Sequence, residues 1–219
     1  MQEMKGKILP AQRAGYQRFK RLFDIIAALL ALILLLPLLL LIALLIFLQD
    51  GGAPLYTQTR LGRCGKLIRI YKFRSMRRGA EEAWHLLSEA QLAQYRAEFK
   101  IDDDPRVTPL GRLLRKTSLD ELPQLWNILR GELSFVGPRP ILPEEIKMYS
   151  LEQQTLFLSV PPGLTGYWQA CAGRNDTYTT GKRQQMELHY AAHAGILFDL
   201  KIILQTFVTV PRKALQKRA

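Results

Sequence analysis

Cysteine and histidine are scarce in this chain, two and three residues among 219, with Cys64 and Cys171 far apart. That excludes a disulfide framework, and no Cys or His spacing fits a structural zinc site. A thiol-poor chain without bridges suits a reducing, cytoplasmic face. His189 and His193 are four apart, but no acidic ligand accompanies them in a metalloprotease pattern. Acidic residues number 19 against 31 lysines and arginines, and the formal net charge of +12 implies an anionic partner: a phospholipid headgroup, a nucleotide, a polyprenyl phosphate or a nucleic acid. There is no internal repeat, no Walker loop and no dinucleotide fingerprint. Gly62 and Gly65, among Arg60, Arg63 and Lys66, fit a hairpin turn as well as a phosphate contact. Trp126 and Trp168 are spaced as core or interface aromatics and form no nucleic-acid motif.

What the chain does have is one long hydrophobic run, Ile25 to Leu48, uncharged throughout and interrupted at its midpoint by Pro37. About twenty apolar residues cross a bilayer as one helix. A proline, however, removes a backbone donor and clashes with the carbonyl four residues earlier, so the run either crosses straight or bends and returns. Arg18, Lys20 and Arg21 precede it, and Arg60, Arg63, Lys66, Arg69, Lys72, Arg74, Arg77 and Arg78 follow. Cytoplasmic flanks carry such an excess. With both flanks on one side the run is a kinked re-entrant hairpin, which we favour over a single span. It is too long for a signal-peptide core, and Gln49-Asp50-Gly51-Gly52 offers no small-x-small cleavage pattern, so a retained anchor is expected.

Beyond the anchor the length leaves room for one modest domain. Leu55 to Arg60 and Leu67 to Phe73 read as the strands of a hairpin. Ala80 to Phe99 is helix-favouring and ends at Asp102-Asp103-Asp104-Pro105, a turn sequence that is also a weak cation candidate. A short basic helix is expected over Leu110 to Lys116, then another running to Leu129 or Arg130 and stopped by Gly131. Leu133 to Val136 suits a strand, Gly137-Pro138-Arg139-Pro140 no regular structure, and Glu144 to Leu158 a helix. A Pro161-Pro162-Gly163 turn, a segment Leu164 to Ala170, and helices over Gln184 to Ala192 and Ile196 to Val210 complete the chain. The last has an apolar face that either lies on a membrane surface or packs in the core.

The constellation richest in chemistry is Asp120-Glu121, with Arg112, Arg115 and Lys116 before it and Arg139 in a proline-flanked turn after it. A carboxylate among cations can hold Mg²⁺ or attack phosphorus. The plainer reading is a capping box, Ser118 capping a helix start and Glu121 reaching back. Pro123 argues against it, since a helix beginning at Ser118 would carry that proline past its first turn.

YKFRSM at Tyr71 to Met76, DPRVTPLGRLLRKTSLDELPQLWNILRGELSFVGPRP from Asp104 to Pro140 and PGLTGYWQACAGRN from Pro162 to Asn175 occur in that order. Together they resemble the bacterial sugar transferases, the monotopic phosphoglycosyl transferases, over about Arg18 to Thr209. The resemblance implies transfer of a sugar 1-phosphate from a UDP-sugar to undecaprenyl or another polyprenyl phosphate, with release of UMP. It implies that Asp120 attacks the sugar-bearing phosphate to form a covalent intermediate and that Glu121 helps hold Mg²⁺. It also implies that Lys72, Arg115 and Arg139 contact phosphate or carboxylate, and that Pro37 kinks a re-entrant helix. Leu36 stands where some relatives have serine, and His193-Ala194-Gly195-Ile196 departs from a segment common among them, whereas Asp199-Leu200-Lys201 is retained.

The expected fold class is α+β, mainly α-helical: a membrane-embedded re-entrant N-terminal helix and a cytoplasmic helical domain with a small β-hairpin. The expected divisions are a basic tail at 1–17, the membrane helix at 18–50, the catalytic domain at 51–210 and a basic tail at 211–219. Expected partners are UDP-sugar, polyprenyl phosphate, membrane lipid of the bacterial inner membrane, downstream glycosyltransferases and a second copy of the chain, with no nucleic acid. The rival from another class is a membrane-anchored module binding anionic lipid or nucleic acid.

Overall fold

The computed structural model describes residues 14–173 and 176–215. Most of the basic tail expected at 1–17, residues 216–219 of the second tail, and Arg174 and Asn175 of the PGLTGYWQACAGRN stretch lie outside the described residues.

Helix α1 spans Ala14–Asp50, 37 residues with Pro37 inside. It is one helix long and apolar enough to cross a membrane. Both of its halves pack on the rest of the chain. Before Pro37, Ala28 is fully buried in a cluster with Ile68, Ile70, Leu125, Ile128 and Leu133, and Ala31, Leu32 and Leu35 pack against it. After Pro37, Ile42 and Ile46 are buried with Phe73 and Leu114. Polar contacts fix both ends. Tyr16 and Lys20 donate to Asp199 Oδ2 at 2.8 and 2.6 Å, and Asp24 Oδ1 accepts from Ser134 Oγ at 3.1 Å and Phe135 N at 3.0 Å. At the other end Asp50 takes both Nη groups of Arg74, at 2.5 and 2.7 Å. Leu30, Ile33, Leu34, Leu40 and Leu48 remain exposed.

Strands β1 (Leu55–Leu61) and β2 (Leu67–Phe73) form the expected antiparallel hairpin, Leu55 opposite Phe73 and Leu61 opposite Leu67. Its connection turns through Cys64 and Gly65, both at positive φ. The inward residues Ile68 and Ile70 alternate with exposed Leu67 and Arg69, the period-2 pattern of a half-buried strand.

Two expected long helices are broken by serine caps. Ala80 to Phe99 resolves into a 3₁₀ turn, Ala83–Leu86, and α2, Glu89–Glu98. Ser88 Oγ accepts from Gln91 N at 3.3 Å, while Gln91 Oε1 accepts from Ser88 N at 2.9 Å. Glu144 to Leu158 likewise becomes a 3₁₀ turn, Glu145–Met148, and α5, Leu151–Phe157, restarted by the same reciprocal pair between Ser150 and Gln153. Between them lie α3 (Pro109–Thr117) and α4 (Gln124–Arg130), the latter ended by Gly131 at φ 78° as its position after the last turn requires.

The expected strand at Leu133 to Val136 is β3, Ser134–Val136, and it acquires an unexpected parallel partner, β4, Gly163–Thr165. Backbones approach closely here: a Cβ on Gly163 would sit 2.1 Å from the Gly137 nitrogen. The segment after β4, expected without assignment, contains α6 (Tyr167–Cys171). Helices α7 (Lys182–His193) and α8 (Ile196–Leu215) follow, and α8 continues through Pro211 beyond its expected end. Val136, Val160, Ala170, Tyr190, Ala191 and Ile202 form the core beneath them. On α8, Leu197, Leu204 and Phe207 are exposed while Ile202 is buried, so the apolar surface is divided between core and exterior. Among the described residues the architecture is mainly helical with two small two-stranded sheets.

Candidate active site

The Asp120-Glu121 pair sits in a sharp turn between two helices. Ser118 ends α3 in the left-handed region at φ 58° and makes no side-chain cap. A single 3₁₀ turn, Leu119–Glu121, follows, and α4 starts only after Pro123. The capping-box reading of Ser118 and Glu121 therefore fails: a residue in the left-handed region cannot present its hydroxyl as an N-cap with extended backbone does. Both carboxylates are left for other work. Asp120 is buried, and Glu121 is partly open.

Three cations converge on the pair. Lys72, near the end of β2, donates from Nζ to Glu121 Oε1 at 2.6 Å, and Arg139 Nη1 lies 3.9 Å from the same oxygen. Arg115, in the last turn of α3, donates from Nε to Ser75 Oγ at 2.9 Å and is electrostatically coupled to Asp120. The strand carrying Lys72 is fixed against α4 by Asn127. Its Oδ1 accepts from Tyr71 N at 3.0 Å, and its Nδ2 donates to Arg69 O at 2.7 Å and Glu132 Oε2 at 2.6 Å. The fully buried carboxamide thus satisfies the hairpin's open edge as a third strand would.

The two carboxyls are driven apart. Burial and the neighbouring Glu121 charge raise Asp120, against the pull of Lys72, Arg115 and Arg139. Burial also pushes Glu121 up, but Lys72, Arg139 and Arg60 outweigh it and hold it well below the usual carboxylate range. One carboxylate is firmly ionised beside a second, more basic one. Such a split suits an electrostatic anchor paired with a nucleophile.

An open cleft adjoins Glu121, lined by Arg60, Lys72, Glu121, Gln124, Arg139 and Gln169, with Ile70, Pro140, Gly163 and Leu164 between them. Of the five polar positions singled out in the sequence, Lys72, Glu121 and Arg139 line the cleft, and Asp120 and Arg115 join them through the charge interactions around Asp120. Pro37 lies in α1 and contributes nothing to the lining. His189 and His193 stack at 4.3 Å, and among the described residues no group of three potential metal ligands of the His, Cys, Asp and Glu type exists. Asp104 is spent on a buried pair with Arg106 at 2.6 Å and Asp102 on a surface pair with Lys100 at 2.5 Å.

Several residues escaped the sequence reading. Glu145 accepts from Arg60 Nη1 at 2.9 Å, from Arg183 Nη2 at 3.2 Å and from Tyr178 Oη at 2.8 Å. Arg183 in turn lies over the rings of Trp168 and Tyr178, 4.4 and 3.9 Å from their centroids. Glu187 accepts the Arg139 backbone N–H at 3.2 Å, and burial raises its carboxyl to about 7. It fixes the turn that carries Arg139. No local motif marks these residues, because the arginines and tyrosine that donate to Glu145 and Glu187 lie 33 to 85 positions from them.

Two adjacent carboxylates of opposed basicity, Glu121 lining a cation-rich cleft and Asp120 buried next to it, define a site for handling anions, of the kind phosphoryl transfer requires. The family model described as "Bacterial sugar transferase" matches residues 15–213. An exopolysaccharide production protein, ExoY, of Sinorhizobium fredii is 43% identical over 87% of this chain and 84% of its own length. An undecaprenyl-phosphate galactose phosphotransferase of Salmonella typhimurium is 40% identical over 89% of this chain, which spans only 40% of that longer relative. A UDP-glucose:undecaprenyl-phosphate glucose-1-phosphate transferase of Escherichia coli is 38% identical over the whole chain and 46% of its own length. The chain belongs to the bacterial sugar transferase family, and with it is an enzyme, a phosphoglycosyl transferase. The binding-module alternative falls with that membership.

Proposed function

We propose that the protein transfers a sugar 1-phosphate from a UDP-sugar to undecaprenyl or a similar polyprenyl phosphate at the cytoplasmic face of the bacterial inner membrane, releasing UMP. The product would feed downstream glycosyltransferases of exopolysaccharide or another surface glycan. The observation that carries this reading is the convergence of Lys72, Arg115 and Arg139 on the adjacent Asp120 and Glu121, with Lys72, Glu121 and Arg139 lining one cleft.

In the first half-reaction an Asp120 oxygen attacks the sugar-bearing phosphorus, and the bond from that phosphorus to UMP breaks, UMP leaving with the electron pair. In the second, a polyprenyl phosphate oxygen attacks the same phosphorus and Asp120 leaves as a carboxylate. Lys72, Arg115 and Arg139 offset charge on the phosphoryl oxygens as each displacement proceeds. Mg²⁺ fits this donor set, because it commonly takes one or two carboxylates and fills its shell with substrate phosphate oxygens and water. Glu121 would hold it, since among the described residues no hydrogen bond reaches its Oε2. Bound there, the ion would neutralise charge on the diphosphate.

The re-entrant reading of α1 is supported by its packing. A helix crossing the bilayer away from its head would carry one half out of contact, whereas residues on both sides of Pro37 are buried against the hairpin and its neighbouring helices. Asp199 and Arg74 tie its two ends to the same domain. Its exposed leucines would face lipid.

The test is UMP release from a panel of UDP-sugars by purified protein with undecaprenyl phosphate and Mg²⁺. Release with one donor, abolished by chelation and by Asp120→Asn with folding intact, is expected. No release by folded wild-type protein with any UDP-sugar overturns the proposal.

A further inference from the structure

Gln124 opens α4 one turn after Glu121, lines the cleft, and is only 2% exposed. Its Nε2 has no hydrogen-bond partner among the described residues. A buried N–H without an acceptor is costly in a folded protein, so the geometry calls for an acceptor that the chain itself does not supply. The other walls say what kind. Lys72 and Arg139 face the same space, and so does Arg60, whose Nη groups are engaged by Gln58 and Glu145 while its buried Nε has no partner either. Against these cations and two uncommitted N–H groups, Glu121 is the only carboxylate among the lining residues. A cleft so rich in donors takes an anion with many oxygens rather than a neutral hydroxyl.

We infer that Gln124 is a substrate-contacting residue whose Nε2 donates to a diphosphate oxygen of the bound nucleotide sugar, with Arg60 Nε beside it. The inference rests on the reading of this cleft as the donor site, and it adds a neutral contact to the charged ones. A neutral donor here holds the diphosphate without adding to the positive charge that Lys72, Arg115 and Arg139 already direct at the dyad. It also means that Nε2 costs the free protein stability rather than adding to it, which separates Gln124 from Asn127 three residues later, whose carboxamide is fully engaged.

The experiment compares the full-length protein in nanodiscs with its Gln124→Met variant, which keeps the side-chain volume and removes the N–H donor. Binding of UDP, inorganic pyrophosphate and uridine is measured with Mg²⁺ present, alongside the KM and kcat for the UDP-sugar turned over. The expected result is a rise of roughly ten- to a hundredfold in Kd for UDP and for pyrophosphate, as befits loss of a hydrogen bond to a charged acceptor. Uridine binding should be unchanged, the Tm of the ligand-free variant should be no lower than that of the wild type because an unpaired buried donor is removed, and KM should rise more than kcat falls. Wild-type affinity of the variant for UDP and pyrophosphate overturns the inference. So does a large fall in Tm, the mark of a structural glutamine, or a loss confined to uridine, the mark of a base contact. Absence of turnover by the wild type with every UDP-sugar overturns the proposed reaction instead, and the pyrophosphate comparison still decides the role of Gln124.

Discussion

Replacing Glu187 with glutamine should stabilise the protein, and increasingly so as pH rises. Glu187 is 1% exposed on α7 and accepts the Arg139 N–H, a bond that glutamine Oε1 retains. The groups facing it are Arg183 on its own helix, Arg139 from the turn after β3, and Glu145 and Tyr149 from the 3₁₀ turn and the residue after it. Burial outweighs the two arginines, and Glu145 adds to it, so the folded-state value rises from the ordinary 4.5 to about 7. The folded state therefore binds the proton more tightly than the unfolded state. Below pH 4.5 both states are protonated and ionisation of Glu187 costs nothing; between 4.5 and 7 that cost appears, and above 7 it is complete. At about 1.4 kcal/mol per pH unit the full cost is on the order of 3 kcal/mol. For a chain of this size that corresponds to roughly 6–12 °C in Tm. Thermal unfolding of wild type and Glu187→Gln in the same nanodiscs at pH 5 and pH 8 measures it. A variant advantage that is the same at both pH values, or a variant less stable at pH 8, refutes the reasoning.

Asn127→Ala should have the opposite sign, because it strips partners from Tyr71 N and Arg69 O at the hairpin's open edge, a loss of roughly 2–5 kcal/mol that a lower Tm would register. The same variant should lower kcat by loosening the strand that carries Lys72, with Asn127→Asp recovering less than half of the stability because it cannot donate to Arg69 O. The exposed native Cys64 tests the topology: a membrane-impermeant maleimide should leave it unlabelled in spheroplasts and label it after lysis, and labelling in intact spheroplasts would mean that the head faces outward.

Three serines in this chain are followed three positions later by Glu or Gln: Ser88, Ser118 and Ser150. The first and third form reciprocal caps and break two helices that composition alone ran together; the second does not, because α3 reaches it in helical register and leaves it left-handed. Spacing is identical in all three, so the difference lies in what precedes the serine and in Pro123 beyond it. The β1–β2 hairpin was legible because alternation and its glycine turn are local. The β3–β4 pair was not, since it depends on Gly137 and Gly163 meeting across 26 residues. The site divides the same way. Asp120, Glu121 and the three cations were legible through family motifs, whereas Gln124 was only a letter within one of them. Glu145, Arg183 and Glu187 acquire meaning only once α7 is laid against the Gly137–Pro140 turn.

Helix α1 supplies Ala28, Ile42 and Ile46 to the same clusters that hold Ile70, Phe73 and Leu114. The hydrophobic interior of the enzyme is therefore assembled partly from a helix whose other face is a row of exposed apolar side chains. Docking of α1 and folding of the head become one event: a chain cut after Asp50 would expose Ile68, Ile70 and Phe73 and would take Asp50 from Arg74 and Tyr16 and Lys20 from Asp199 together. If α1 lies in a bilayer as proposed, that bilayer takes part in folding the catalyst, and removing the anchor would loosen the strand that bears Lys72.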